Sequence, residues 1–196
     1  MRHAWWSLIG MFFLVGPLSA APPSEWVAKQ VSYATCTGVS GDTNLATSNP
    51  GVDYAHTLTC TVDANRIKAG TMVRACAMLT VTTAASVPTL QFKLKAGATT
   101  LYAPLFAFPP EVSLTRTTAF CFDTMGITPP GPTGNTQTSV RGFPTEVAYT
   151  EQSNSIAQPV SLATNGPLVW TFVSRWSSSI AGNSVTLNHF QVEVGN

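Results

Sequence analysis

The strongest constraint in this sequence is a two-residue alternation that recurs along most of the chain after residue 20, with no helical periodicity to compete with it. It is clearest where Leu90, Phe92 and Leu94 interleave with Gln91, Lys93 and Lys95. Residues 71–83 read as one long strand, with Val73, Ala75, Ala77, Leu79 and Val81 on one face. Threonine supplies roughly one residue in seven, set among Val, Leu and Phe, and β-branched side chains suit a pleated, half-buried surface. Further strands are expected at 29–36, 55–63, 112–122, 138–149, 157–163, 168–177 and 184–194. In the last of these Val185, Leu187 and His189 alternate in one phase and Phe190, Val192 and Val194 in the other, which predicts a bulge near His189 and Phe190. Residues 96–98 read as a turn, and Ala181-Gly182-Asn183 as the hairpin turn joining the last two strands. Long loops are expected at 37–54 and 125–137. The fold class that follows is all-β: a two-sheet antiparallel sandwich of eight to nine strands, with a jelly roll as the expected topology.

The first twenty residues differ from the rest. Met1-Arg2-His3 is a short basic start, an apolar run follows to Gly16, and small residues close it at Ser19-Ala20-Ala21. These are the parts of a secretory signal, with cleavage expected after Ala20; the rival reading is a retained hydrophobic N-terminal arm. The run is short for a bilayer span, which needs about 20 residues. Residues 21–196 then form a single β-sandwich domain, in keeping with the chain's length.

Four cysteines follow the leader: Cys36, Cys60, Cys76 and Cys121. An even count in an exported chain points to two disulfides, for which three connectivities are open; pairing in sequence order, Cys36 with Cys60 and Cys76 with Cys121, is the expectation taken forward. Four buried free thiols are the alternative. No CxxC occurs and the spacings match no zinc site.

Composition narrows the function. Ten Lys and Arg nearly cancel nine Asp and Glu, and only about a tenth of the residues are charged. Loss of Arg2 with the leader leaves equal numbers of basic and acidic residues. A nucleic-acid binder needs a basic stripe, so nucleic acid is not an expected partner. There is no phosphate loop, HExxH, GxSxG or EF-hand pattern, and no cofactor is expected. His56 lies near Asp53 and Asp63, and His189 near Glu193, but a triad is defined by geometry and not by the presence of its residue types. Asp53, Asp63, Glu111 and Asp123 are among the candidate carboxylates for glycoside chemistry, and their spacing selects no pair. The expectation is therefore a non-enzymatic protein.

Among the aromatics, Trp26, Tyr33, Tyr54, Tyr102, Tyr149, Trp170 and Trp176 could form a sugar-stacking platform. Trp170 shares a face with Phe172 and reads as a core anchor. Trp176, beside Arg175 near a strand end, is the candidate binding aromatic.

Two regions carry a further pattern. Ile67-Lys68-Ala69-Gly70-Thr71-Met72-Val73-Arg74-Ala75 leads to Pro88-Thr89-Leu90-Gln91-Phe92-Lys93-Leu94-Lys95-Ala96-Gly97-Ala98-Thr99-Thr100-Leu101, and Trp176 through Val194 closes the chain. Over residues 64–103 and 168–194 this resembles the small β-sandwich structural proteins of tailed bacteriophages. The resemblance implies a virion component, a head- or tail-associated decoration or fibre-type subunit. Such a subunit would be homo-oligomeric or bound to other virion proteins, with host-surface glycan as a further partner. The leader and the cysteines support the alternative: a secreted or cell-surface bacterial carbohydrate-binding or adhesin β-sandwich.

Overall fold

The computed structural model describes residues 31–84, 89–107, 114–141, 150–154 and 157–195. The expected leader and Glu111 lie outside these residues, as do parts of the strands expected at 29–36, 112–122 and 138–149.

Every regular element among the described residues is a strand. In chain order they are β1 (Val31–Tyr33), β2 (Thr35–Thr37), β3 (Asp42–Leu45), β4 (Tyr54–Val62), β5 (Met72–Thr83), β6 (Thr89–Ala96) and β7 (Thr99–Tyr102). There follow β8 (Pro104–Ala107), β9 (Leu114–Gly126), β10 (Gly134–Arg141), β11 (Thr150–Asn154), β12 (Val160–Leu162), β13 (Leu168–Trp176) and β14 (Ser184–Gly195). They form two antiparallel sheets. Sheet A runs β1-β14-β5-β9-β10-β12 with β3 also on β14, and sheet B runs β11-β8-β6-β13-β4-β2 with β7 also on β6. Eight strands make the frame: β1-β14-β5-β9 in one sheet and β4-β13-β6-β8 in the other, which is jelly-roll order.

The sandwich is as expected, but its fourteen described strands exceed the eight or nine anticipated. The additional strands are short and mostly polar. β3 sits inside the expected loop 37–54, because Asp42–Leu45 pairs with Leu187–Ser184 of β14. β10 starts at Gly134, not at 138, since Gly134 to Thr136 pairs with β12 and Thr136 to Arg141 with β9; the expected loop 125–137 shrinks accordingly. The connection through Ala181-Gly182-Asn183 is not a hairpin. It carries the chain from β13 in sheet B to β14 in sheet A, with Gly182 at φ 88° making the reversal. The bulge in β14 falls at Asn188, where the register with β5 shifts between Leu187 and His189.

The inward faces meet in one buried cluster. β5 contributes Val73, Ala75, Ala77, Leu79 and Val81, and β6 contributes Leu90, Phe92 and Leu94. Ring contacts bridge the sheets: Phe92 lies 5.0 Å from Phe120, and Phe172, itself 5.3 Å from Phe92 in the same sheet, lies 6.4 Å from both Phe122 and Phe190. Aromatic pairs at such separations add about 0.5–1.5 kcal/mol each beyond area burial.

Both disulfides join residues directly opposite one another on neighbouring strands. Cys36 of β2 bonds Cys60 of β4, and Cys76 of β5 bonds Cys121 of β9. The first reaches the core through Cys60, whereas the second lies on the outer face of sheet A among Arg74, Met78 and Ala119. One staple therefore serves each sheet. Between β2 and β3 the chain passes so close to β4 that a Cβ on Gly38 would sit 2.2 Å from the carbonyl oxygen of Thr57, and its φ of 117° also requires glycine.

Candidate functional site

The densest polar cluster forms where β3 meets the inner faces of β4 and β13. Counting inward along β13 from Leu168 in steps of two gives Trp170, Phe172, Ser174 and Trp176, all buried. The same count along β4 gives His56, Cys60 and Val62. Ser174 and His56 thus enter the core from adjacent strands of sheet B, and β3 delivers Asp42 and Asn44 from sheet A.

The contacts form an ordered chain. His56 Nε2 lies 2.9 Å from Ser174 Oγ, and the Asn44 side-chain amide donates to Ser174 Oγ at 3.0 Å and to its carbonyl at 3.3 Å. With that amide donating to Oγ, the Ser174 proton is free to point at His56 Nε2. This assigns the neutral tautomer carrying its proton on Nδ1. Nδ1 faces Asp42 Oδ2 at 3.7 Å, beyond hydrogen-bond range. Asp42 is held by the Tyr54 hydroxyl and, at 2.8 Å, by the Thr57 amide.

The electrostatics follow from this placement. Burial pushes His56 down to about 4, against the opposing pull of Asp42. Burial alone would raise the Asp42 carboxyl, but the Tyr54 hydroxyl, the Thr57 amide and His56 together bring it below its usual value. The hydrogen bond to Asp42 is the main reason that Tyr54 is raised to about 12. His56 is therefore neutral at pH 7.

Ser174, His56 and Asp42 occur in the contact order of a nucleophilic triad, yet Ser174 and Asn44 have no exposed surface. A nucleophile needs open space on the side its substrate approaches, and here Ser174 is fully buried with the Asn44 amide on its Oγ. What the arrangement does is couple the sheets: the bonds from Asn44 to Ser174 and between Ser174 and His56 fix β3 against β4 and β13. Because His56 would be protonated in the unfolded chain near pH 6.5 and in the fold only near 4, the unfolded state binds more protons between those values. Stability is then complete above pH 6.5 and falls as pH drops toward 4, by on the order of 3 kcal/mol from this group. Urea denaturation at pH 7 and pH 4 should show the loss, and His56→Gln should remove about one proton from the slope.

The other expected site residues are dispersed. Asp53 pairs with Lys93 at 2.6 and 2.7 Å, with Arg175 at 3.9 Å. Asp123, 4% exposed on the outer side of sheet A, is gripped by Arg74 through Nε at 2.8 Å and Nη2 at 3.4 Å. Asp63 is exposed at the turn after β4. Neither Asp53 nor Asp63 is the carboxylate facing His56. His189 is exposed and linked to Glu193 only through Gln191, by contacts of 3.2 Å on each side. Among the described residues no group of His, Cys, Asp and Glu is arranged to hold a metal ion.

Trp176, the candidate binding aromatic, is corrected by its position. It is 0% exposed, its indole N–H donates to the Asn44 carbonyl at 3.4 Å, and its own carbonyl accepts from the Gly51 amide at 2.8 Å. It closes the core beneath the 46–51 segment and offers no surface for stacking. The strand-end position suggested exposure, but Trp176 has the same parity as Trp170, and the intervening Ser174 hid that continuity.

No protein-family model matches the sequence, and no curated protein is significantly similar to it. Among solved structures, the chain is similar to the CBM2 module of the evolved Dit of Lactobacillus casei BL23 phage J-1. The TM-score is 0.41 at 10% identity, over 84% of this chain and 80% of that one. A likeness this loose carries neither ligand nor assembly across.

Proposed function

We propose that this protein is a non-enzymatic structural subunit of a bacteriophage virion, of the head- or tail-associated decoration or fibre type, acting through protein–protein interfaces. The observation that supports this reading is the outer face of sheet A. Across β3, β14, β5 and β9 it presents Thr43, Thr186, Thr80 and Thr117 in one row. The next rows hold Ser184, Thr82 and Thr115 on one side and Met78 and Ala119 on the other. Hydroxyls bond one another along these rows, Thr43 to Thr186 at 2.8 Å and Thr82 to Thr115 at 3.0 Å. Charge on this face gathers in the row Glu193, Arg74 and Asp123, where Asp123 neutralises Arg74. A surface poor in unpaired charge and dotted with methionine has the composition of an interface centre.

A second reading is favoured by the disulfides. Such bonds form and persist in oxidising compartments, which suits a secreted or cell-surface carbohydrate-binding or adhesin domain. Intact-mass and peptide analysis of purified particles separates the two. The virion reading expects the chain in particles at fixed stoichiometry to the capsid or tail proteins. Recovery only as a free monomer in the medium, trimmed after Ala20 and fully oxidised, would overturn it in favour of the secreted one.

A further inference from the structure

The chain crosses between sheets within four residues: β1 lies on the edge of sheet A beside β14, and β2 on the edge of sheet B beside β4. The crossing leaves the sandwich edge open as a cleft of about 200 Å³. Ser32, Tyr33 and Thr35 form one wall, and Thr61, Asp63 and Arg66 the other.

The far wall is shaped by a tight turn. Asn65 adopts a left-handed φ of 60°, and the Arg66 amide donates back to the Asp63 carbonyl at 3.4 Å. The reversal brings an acid and a base three residues apart to the same cleft. Arg66 reaches across it to donate to Ser32 Oγ, leaving further guanidinium donors available. Among the described residues the Asp63 carboxylate has no partner. Tyr33 is the most exposed large apolar side chain among them, at 71%.

We propose that this cleft binds one neutral pyranose ring. The chemistry matches on each side. A pyranose has an apolar C–H face that an exposed tyrosine ring can cover, and a girdle of hydroxyls that need both donors and acceptors. Asp63 accepts, Arg66 donates, and the hydroxyls of Ser32, Thr35 and Thr61 do either. Asp63 and Arg66 offset each other's charge, so neither an anionic nor a cationic ligand is favoured. The volume holds a single ring. The assignment stands independently of whether the chain belongs to a particle.

The test is saturation-transfer difference NMR on the full oxidised chain with D-glucose, D-galactose and N-acetyl-D-glucosamine, each presented separately. The expected result is transfer to the ring protons of at least one sugar, reduced tenfold or more by Tyr33→Ala and by Asp63→Asn. Lys93→Ala, which lies on the outer face of sheet B against Asp53, should bind as the parent does. Both cleft positions are exposed, so circular dichroism should be unchanged. If Tyr33→Ala does not fold, Asp63→Asn decides alone. No transfer from any of the three sugars, undiminished transfer in Asp63→Asn, or stronger binding of D-glucuronate than of all three would overturn the assignment.

Discussion

Reduction of the two disulfides is expected to remove most of the stability of this fold. The Cys36–Cys60 bond closes a sequence separation of 24 residues and the Cys76–Cys121 bond one of 45. Chain-entropy arithmetic for loops of these sizes gives about 3.5 and about 4 kcal/mol. A domain of this kind has only about 5–15 kcal/mol in total. The bonds act in different sheets, so their effects should be largely independent. The two strand pairings differ in what remains without the sulfurs: β5 and β9 share twelve paired positions, from Met72 with Met125 to Thr83 with Leu114, whereas β2 and β4 share three. The urea midpoint of the reduced protein should therefore fall sharply. Denaturation with and without reductant, repeated on Cys76→Ala/Cys121→Ala, measures the two contributions separately. A midpoint unmoved after thiol labelling has shown complete reduction would count against the bonds as stabilising elements.

Trp176→Ala is expected to cost about 3–5 kcal/mol, the range for removing a large aromatic from a packed interior. The substitution opens a cavity where the 46–51 segment rests on β13, and it removes the donor to the Asn44 carbonyl. Asn44 also anchors Ser174, so the polar cluster around His56 should loosen with it. The measurement is a denaturation midpoint together with the near-ultraviolet signal of the remaining tryptophans. Had Trp176 been an exposed stacking residue, its loss would leave stability within about 0.5 kcal/mol of the parent.

How much of this was legible in the sequence depends on what fills the inward positions. β5, β6 and β13 could be read because their inward residues are apolar, and a two-residue period in hydrophobicity is visible by eye. β3 and β10 could not. Their inward residues include Asn44, Thr136 and Thr138, which are buried and polar and each make hydrogen bonds, Thr138 to Thr124 at 3.0 Å among others. Hydropathy cannot distinguish such strands from loops. The His56 cluster was half legible. His56 has the parity of Cys60 and Val62, and Ser174 that of Trp170, so strand alternation alone is enough to turn both inward. Their partners were not legible. Asn44 is far from Ser174 in sequence and reaches it only because β3 pairs with β14, a contact that no local pattern encodes; the same pairing sets Asp42 opposite His56.

The threonine rows on the outer face of sheet A have a consequence for the surroundings the protein tolerates. Their hydroxyls are joined to each other, and one accepts the Asn188 amide at 2.8 Å, so these rows are held together without ions. Mobile ions weaken interactions between exposed charges beyond about 8 Å at physiological ionic strength, but uncharged hydroxyl pairs give them nothing to screen. The threonine rows should keep the same structure in fresh water, in brine and in a buffer rich in divalent cations.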